Sequence, residues 1–210
     1  MSQDNNRRFH KPAKLSSEAF DSFTQDELDP AIVSAIAHDT AAALVRAGRE
    51  ATDPATTTRL VGLIDEIGIE IVAELWAGQA ARSLPGALWR LYALKEWIRR
   101  DPIGASTEYR EGLRFADVAA VVAGVACPPG PEELRTMIDS ILRGVFDGDL
   151  AMALHRAGAF CRVIAAGRAA HLTHEDPNDS RKHADQAAAM LNTGEDLDSC
   201  AGMWRRGDLV

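Results

Sequence analysis

The chain predicts an all-α fold. Alanine fills about a sixth of the 210 residues, and alanine is the best helix former and fills a sheet poorly. Apolar residues recur at i, i+3 and i+4 through several long segments. No stretch alternates Val, Ile and Thr between turn signals, as strands do. With 46% apolar residues, the length suits one core, and the expectation is a single bundle of about six helices. Residues 1–23 read as a flexible basic arm, 24–171 as the helical domain, and 172–210 as a polar tail with a weak helix around 181–192.

Asp-Pro punctuates the chain at 29–30, 53–54, 101–102 and 176–177. Asp is a favoured N-cap, and Pro is pre-shaped for the first helical position. The first helix is therefore placed at about 30–49, with Ile32, Val33, Ile36, Ala43 and Leu44 mostly on one side. The second is placed at about 54–80, with Leu60, Leu63, Ile64, Ile67, Ile71 and Leu75 in order. A third occupies 84–100 behind Ser83. The region 103–126 follows, breaking near Gly112. CPPGP at 127–131 is a firm stop. The fifth helix starts at Pro131, with Glu132 and Glu133 where the helix dipole favours them. The sixth, 149–171, carries Ala153, Ala157, Cys161, Ala165 and Ala169 at four-residue steps, beside Gly158. Small side chains at that spacing let a second helix approach closely, so this helix is expected to be central. Ahead of the first helix, Thr24 and Glu27 have capping-box spacing.

The charge is -8, with pI near 5.2. Affinity for duplexes comes largely from Lys and Arg neutralising phosphates, so nucleic acid is a poor expectation. Cys127, Cys161 and Cys200 are odd in number and show no C-x-x-C spacing, which points to free thiols in a reducing cytoplasm. The start of the chain is basic without an apolar h-region, unlike a signal peptide. The longest apolar run, 115–127, carries Asp117 and falls short of the ~20 residues a bilayer span needs. A cytoplasmic protein without a membrane role is expected.

The segment LPGALWRLYALKEWIRRDP, 84–102, holds Trp89, Trp97 and Tyr92 with four Arg or Lys residues. On a helical wheel Leu84, Ala87, Leu88, Leu91, Leu94 and Ile98 form a core stripe. Tyr92 sits at its edge, and Lys95 lies inside the arc, where its stem can snorkel. Trp89 points nearly opposite, alongside Glu96 and Arg100. Two readings fit: Trp89 packs against the N-terminal arm or the tail, or it belongs to a partner or self-association surface. Trp, Tyr and Arg are enriched at interface hot spots. The expected interaction surface is Trp89, Arg90, Tyr92, Trp97 and Arg100, joined by Phe20 and Phe23 of the arm.

Chemistry-bearing residues are sparse. His171, His174, Glu175 and His183, with Asp176 and Asp185 between them, are metal-ligand types. They lie in a polar segment with nothing obvious to orient them, as an ordered site requires, and a solvated tail accounts for them. Glu66, Glu70 and Glu74 form a carboxylate ladder, but the Glu-x-x-His of di-iron bundles is absent. His38-Asp39 has the adjacency used by helical phosphohydrolases, but its only upstream histidine is His10. Cys161, on the small-residue ladder, reads as a buried thiol. No G-x-S-x-G, S-x-x-K or phosphate loop occurs. No cofactor is expected.

Residues 82–102, RSLPGALWRLYALKEWIRRDP, with 128–169, PPGPEELRTMIDSILRGVFDGDLAMALHRAGAFCRVIAAGRA, resemble a family of small helical actinobacterial proteins, some labelled as RNA polymerase-associated. The resemblance spans roughly 82–169 and contains no catalytic motif. It implies association rather than catalysis and carries over no functional residue. The expected function is non-enzymatic interaction or regulation, with self-association as a homodimer. The alternative is a small-molecule or metal-dependent enzyme with a pocket between the second, third and sixth helices.

Overall fold

The computed structural model describes residues 29–125, 129–170 and 177–210, excepting the side chains of 177–180. Ten helices and no strand occur among the described residues. They are α1 (Pro30–Glu50), α2 (Pro54–Val61), α3 (Leu63–Ile67), α4 (Ile69–Trp76), α5 (Leu84–Arg100), α6 (Pro102–Gly112), α7 (Asp117–Ala123), α8 (Pro131–Asp147), α9 (Leu150–Ala170) and α10 (Pro177–Arg206).

The all-α expectation holds, but a bundle of six helices does not. Three local causes raise the number. The segment 54–80 breaks at Gly62 and again at Gly68, whose φ of 83° with ψ of 148° is open to glycine and hard for other residues. The region 103–126 breaks after Gly112, as its sequence suggests, leaving α6 and α7. The tail, placed in sequence as a weak helix over 181–192, is helical from Pro177 to Arg206.

The Asp-Pro starts at Asp29 and Asp53 behave as expected, and Asp101 adds a third. Asp29, Asp53 and Asp101 each accept a hydrogen bond from the backbone two or three residues ahead: Ala31, Ala55 and Gly104, all at 2.9 Å. Asp101 also ends α5, so one residue closes one helix and opens the next. Ser83 caps α5 through Gly86 N–H. At α8, Glu133 reaches back to accept from Gly130 N–H at 3.0 Å, half of a capping box.

α9 is central. Leu150, Leu154, Ala157, Phe160, Cys161, Val163 and Ile164 are fully buried, and α6, α7, α8 and α10 all pack on it. Two glycine contacts set its neighbours' distance. A Cβ at Gly112 would lie 1.9 Å from Val163 O, and one at Gly167 would lie 1.9 Å from Glu108 O. Gly158 and Gly194 also bring α9 and α10 close, each hypothetical Cβ falling 2.9 Å from the other residue's carbonyl oxygen. Leu197, Cys200 and Ala201 of α10 are fully buried, so this helix belongs to the core. Beyond it, Leu209 is buried and Val210 O accepts from Leu84 N–H at 2.9 Å, giving the first N–H of α5 a partner.

Candidate functional site

The candidate site is the outer face of α5. Its inner stripe is as the sequence predicts: Leu84, Ala87, Leu88, Leu91, Leu94 and Ile98 are buried. Trp89, Ala93 and Trp97 follow one another at four-residue steps on the other side and are only partly buried. An alanine between two indoles makes a gap with aromatic ends. α4 walls one side with Ile69, Glu70 and Ala73, enclosing about 440 Å³. Arg168 of α9 with Met190 and Thr193 of α10 walls the other, enclosing about 410 Å³. The result is a furrow along α5 with Trp89, Ala93 and Trp97 common to both sides.

Charge is arranged around this furrow and largely neutralised within it. Glu96 is buried at 7% exposure and accepts from Arg99 Nε and Nη2 (both 2.7 Å) and from Arg100 Nε (2.5 Å). These guanidinium bonds, Arg99 foremost, hold its carboxyl down at about 2 against the opposing effect of burial. Arg168 stands over the Trp97 ring at 5.0 Å and donates from Nε to Glu108 at 2.8 Å. Trp97 itself leans on Phe160, with ring centroids 6.4 Å apart.

The structure sorts the expected surface residues. Trp89, Trp97 and Arg100 lie at the furrow. Tyr92 does not: it is fully buried, stacks on Trp76 and donates from Oη to Leu60 O. Its place at the edge of the stripe becomes a core place because α2 and α4 pack across it. Burial pushes its phenol well above the ordinary range. Arg90 borders the furrow but is tied down, donating to Gly86 O at 2.9 Å and pairing with Asp196 of α10 at 3.6 Å. Lys95 does not snorkel into open water. It donates to Val61 O at 2.9 Å and pairs with Asp139 at 3.0 Å and Asp65 at 3.5 Å. Phe20 and Phe23 lie outside the described residues, as do His171, His174 and Glu175 of the expected metal cluster. His183 sits partly buried on α10. Among the described residues no three His, Cys, Asp or Glu side chains are placed to hold a metal ion.

A polar network that sequence reading missed joins α9 to α10. Asp198 accepts from Arg162 and pairs at 2.8 Å with His155 Nδ1, while Arg205 Nη1 lies 2.6 Å from His155 Nε2. A guanidinium can only donate, so Nε2 is the acceptor of this contact and Nδ1 faces Asp198; both ring nitrogens are engaged within the chain. The signal available in sequence was His155 and Arg162 on one helix; Asp198, far along the chain, reads there as solvated. Cys161 is buried as expected, and burial pushes its thiol up to about 12; Cys200 is raised to about 11 for the same reason. Both thiols are closed off from solvent.

Two other surface features stand apart. A larger cavity, about 520 Å³, lies between α1 and the end of the chain, where Arg49 stands 4.8 Å over the Trp204 ring. His38 and Asp39 reach its rim, but His38 Nδ1 bonds to Ser34 O of its own helix. Asp39 and Glu50 share that lining with Arg46 and Arg49, so it presents no single charge. On α7, Val118 and Val121 are each 81% exposed, beside exposed Phe115. Among the described residues no helix is long and apolar enough to cross a membrane. No protein-family model matches the chain, and neither the curated proteins nor the solved structures contain a significant match to it.

Proposed function

We propose that this protein is a non-enzymatic interaction or regulatory module, cytoplasmic and self-associating, that binds through the outer face of α5. The observation that carries this reading is the Trp89–Ala93–Trp97 furrow. Large aromatics left half-open on a rigid helix are the residues that dominate protein–protein affinity, and here their backs are already packed against the core. They therefore lose little freedom on binding, which keeps the entropic cost of association low. The charged groups around them are paired within the chain, so recognition at the centre of the furrow is apolar and aromatic. A protein partner, including a second copy, fits this chemistry better than nucleic acid does. The titratable groups at the furrow are arginines and carboxylates that pair with one another, and neither described cysteine lines it. The resemblance to RNA polymerase-associated proteins supports the same class of role, association, and is the setting in which a partner is first sought.

Trp89→Ala tests it. Light scattering across a dilution series is expected to show wild type gaining mass with concentration and the variant remaining at monomer mass, with helicity unchanged. Equal masses and equal partner recovery in the two proteins would remove Trp89 from any interface.

A further inference from the structure

We infer that the furrow receives α7 of a second copy of the chain, with Val118 and Val121 seated between Trp89 and Trp97 over Ala93. This rests on the reading of α5's outer face as a recognition surface and names its occupant.

The two sides of α7 differ in size rather than in polarity. Ala116, Ala119, Ala120 and Ala123 recur at i, i+3, i+4 and i+7 and pack on the core, Ala123 fully buried. The larger apolar residues lie opposite: Val118 and Val121 are 81% exposed, Phe115 at the helix entry is 69% exposed, and Val122 is exposed beside them. A helix serving only its own fold would turn its valines inward and its alanines outward, because burying the larger apolar side chain gains more. Large apolar side chains grouped on an open face mark a surface that meets another protein.

This face is convex where the furrow is concave. Val118 to Val122 covers about 6 Å of helix, and Trp89 and Trp97 stand eight residues, about 12 Å, apart along α5. The valines therefore fit in the gap that Ala93 leaves between the indoles. A helix laid in a groove by apolar anchors three and four residues apart is a recurring mode of recognition, and Val118, Val121 and Val122 have that spacing.

Charge matches as well. Arg110 and Arg114, just ahead of α7, are exposed. Arg110 donates to Ser106 O and Thr107 Oγ1, and Arg114 pairs with Glu111 of its own helix turn at 3.2 Å. On the furrow's α4 wall, Glu70 and, one turn on, Glu74 are exposed. Of these two only Glu70 takes an ion pair among the described residues, with Arg100 at 3.9 Å. The furrow's own arginines, Arg100 and Arg168, are held more closely by Glu96 and Glu108. An incoming α7 thus brings two arginines toward two loosely held carboxylates, and opposite potentials orient docking.

No residue between 110 and 123 lines the furrow. α7 packs on α9, whereas α5 is flanked by α4 and α10. A chain can offer α7 to one neighbour while its own furrow takes another's, so the contact is heterologous, with a different surface on each side.

The test is light scattering across a dilution series of the full chain, with helicity followed by circular dichroism. Val118→Ser with Val121→Ser, at exposed positions, and Trp89→Ala are each expected to weaken association by on the order of tenfold or more and to leave helicity unchanged. At concentrations where both variants are monomeric alone, an equimolar mixture is expected to give two-chain mass and nothing larger. The valine variant supplies an intact furrow there, and the tryptophan variant an intact α7. Arg110→Glu with Arg114→Glu is expected to weaken association less, and Glu70→Arg with Glu74→Arg in the same chain to restore it. Wild-type association by the valine variant, or a mixture that stays monomeric, overturns the inference. If Trp89→Ala is still monomeric in that case, the recognition surface stands with a different occupant. Wild type that keeps monomer mass at every concentration overturns self-association and the inference together.

Discussion

The α9–α10 seam and the outer face of α5 are both helix surfaces flanked by neighbouring helices, and they end up as opposites. In the seam, Gly158 and Gly194 remove the side chains that would hold the helices apart, and their backbones meet. What polar groups the seam has are consumed within it by Asp198, His155, Arg162 and Arg205. On α5, indoles at Trp89 and Trp97 prop the walls apart, and Ala93 leaves the gap between them unfilled. Residue size at four-residue spacing thus decides whether a helix face seals or stays open. The sealed face stabilises the molecule, and the open one is available to something else.

The largest effect should come from forcing the sealed region open. Gly167→Val places a Cβ 1.9 Å from Glu108 O, and neither backbone can retreat without unpacking α6 from α9. Urea denaturation is expected to show a loss of about 3 kcal/mol; a midpoint close to wild type would mean the helices have slack the close approach denies. Asp198→Ala removes the shared acceptor of His155 and Arg162. Those groups are partly solvated, so the cost is smaller, about 1–2 kcal/mol by thermal melting. Association should be unaffected, which separates this region from α5.

The third effect is at the furrow and depends on pH. The carboxyl of Glu96 ordinarily titrates near 4.5 and is held at about 2 in the folded chain. A depressed carboxyl contributes stability that is present above its unfolded pKa and disappears as pH falls through the folded one. The loss therefore falls between about 4.5 and about 2. Glu96→Gln should flatten the fall in melting temperature across that window; an identical acid limb in the variant would show that Arg99 and Arg100 do not hold the charge.

The same contrast explains what could be read from sequence. Helix starts were legible because Asp-Pro and Ser-x-x-Gly caps are local chemistry, and Asp29, Asp53 and Ser83 cap as their sequences imply; Asp101, legible as the end of α5, also opens α6. The stripe of α5 was legible because leucine and isoleucine mark it. α10 was not, because its inward positions include Ala187, Gly194 and Ala201, whose small side chains give little contrast with the polar residues between them. The breaks at Gly62 and Gly68 were hidden by an apolar period that continues through them. At the site, Trp89 stood out by pointing away from the core stripe. Tyr92 misled, because an edge position on a wheel says nothing of which helices close over it. The furrow walls, Glu70 and Arg168 above all, come from distant parts of the chain that only the folded arrangement unites.

The most direct test of α5 as the recognition surface is a photoreactive residue in place of Ala93, with a control at Met152, exposed at 49% on α9. After irradiation of the purified protein, the account predicts a covalent dimer from position 93 and none from 152. Monomer alone from position 93, at concentrations where the untreated protein self-associates, would contradict it.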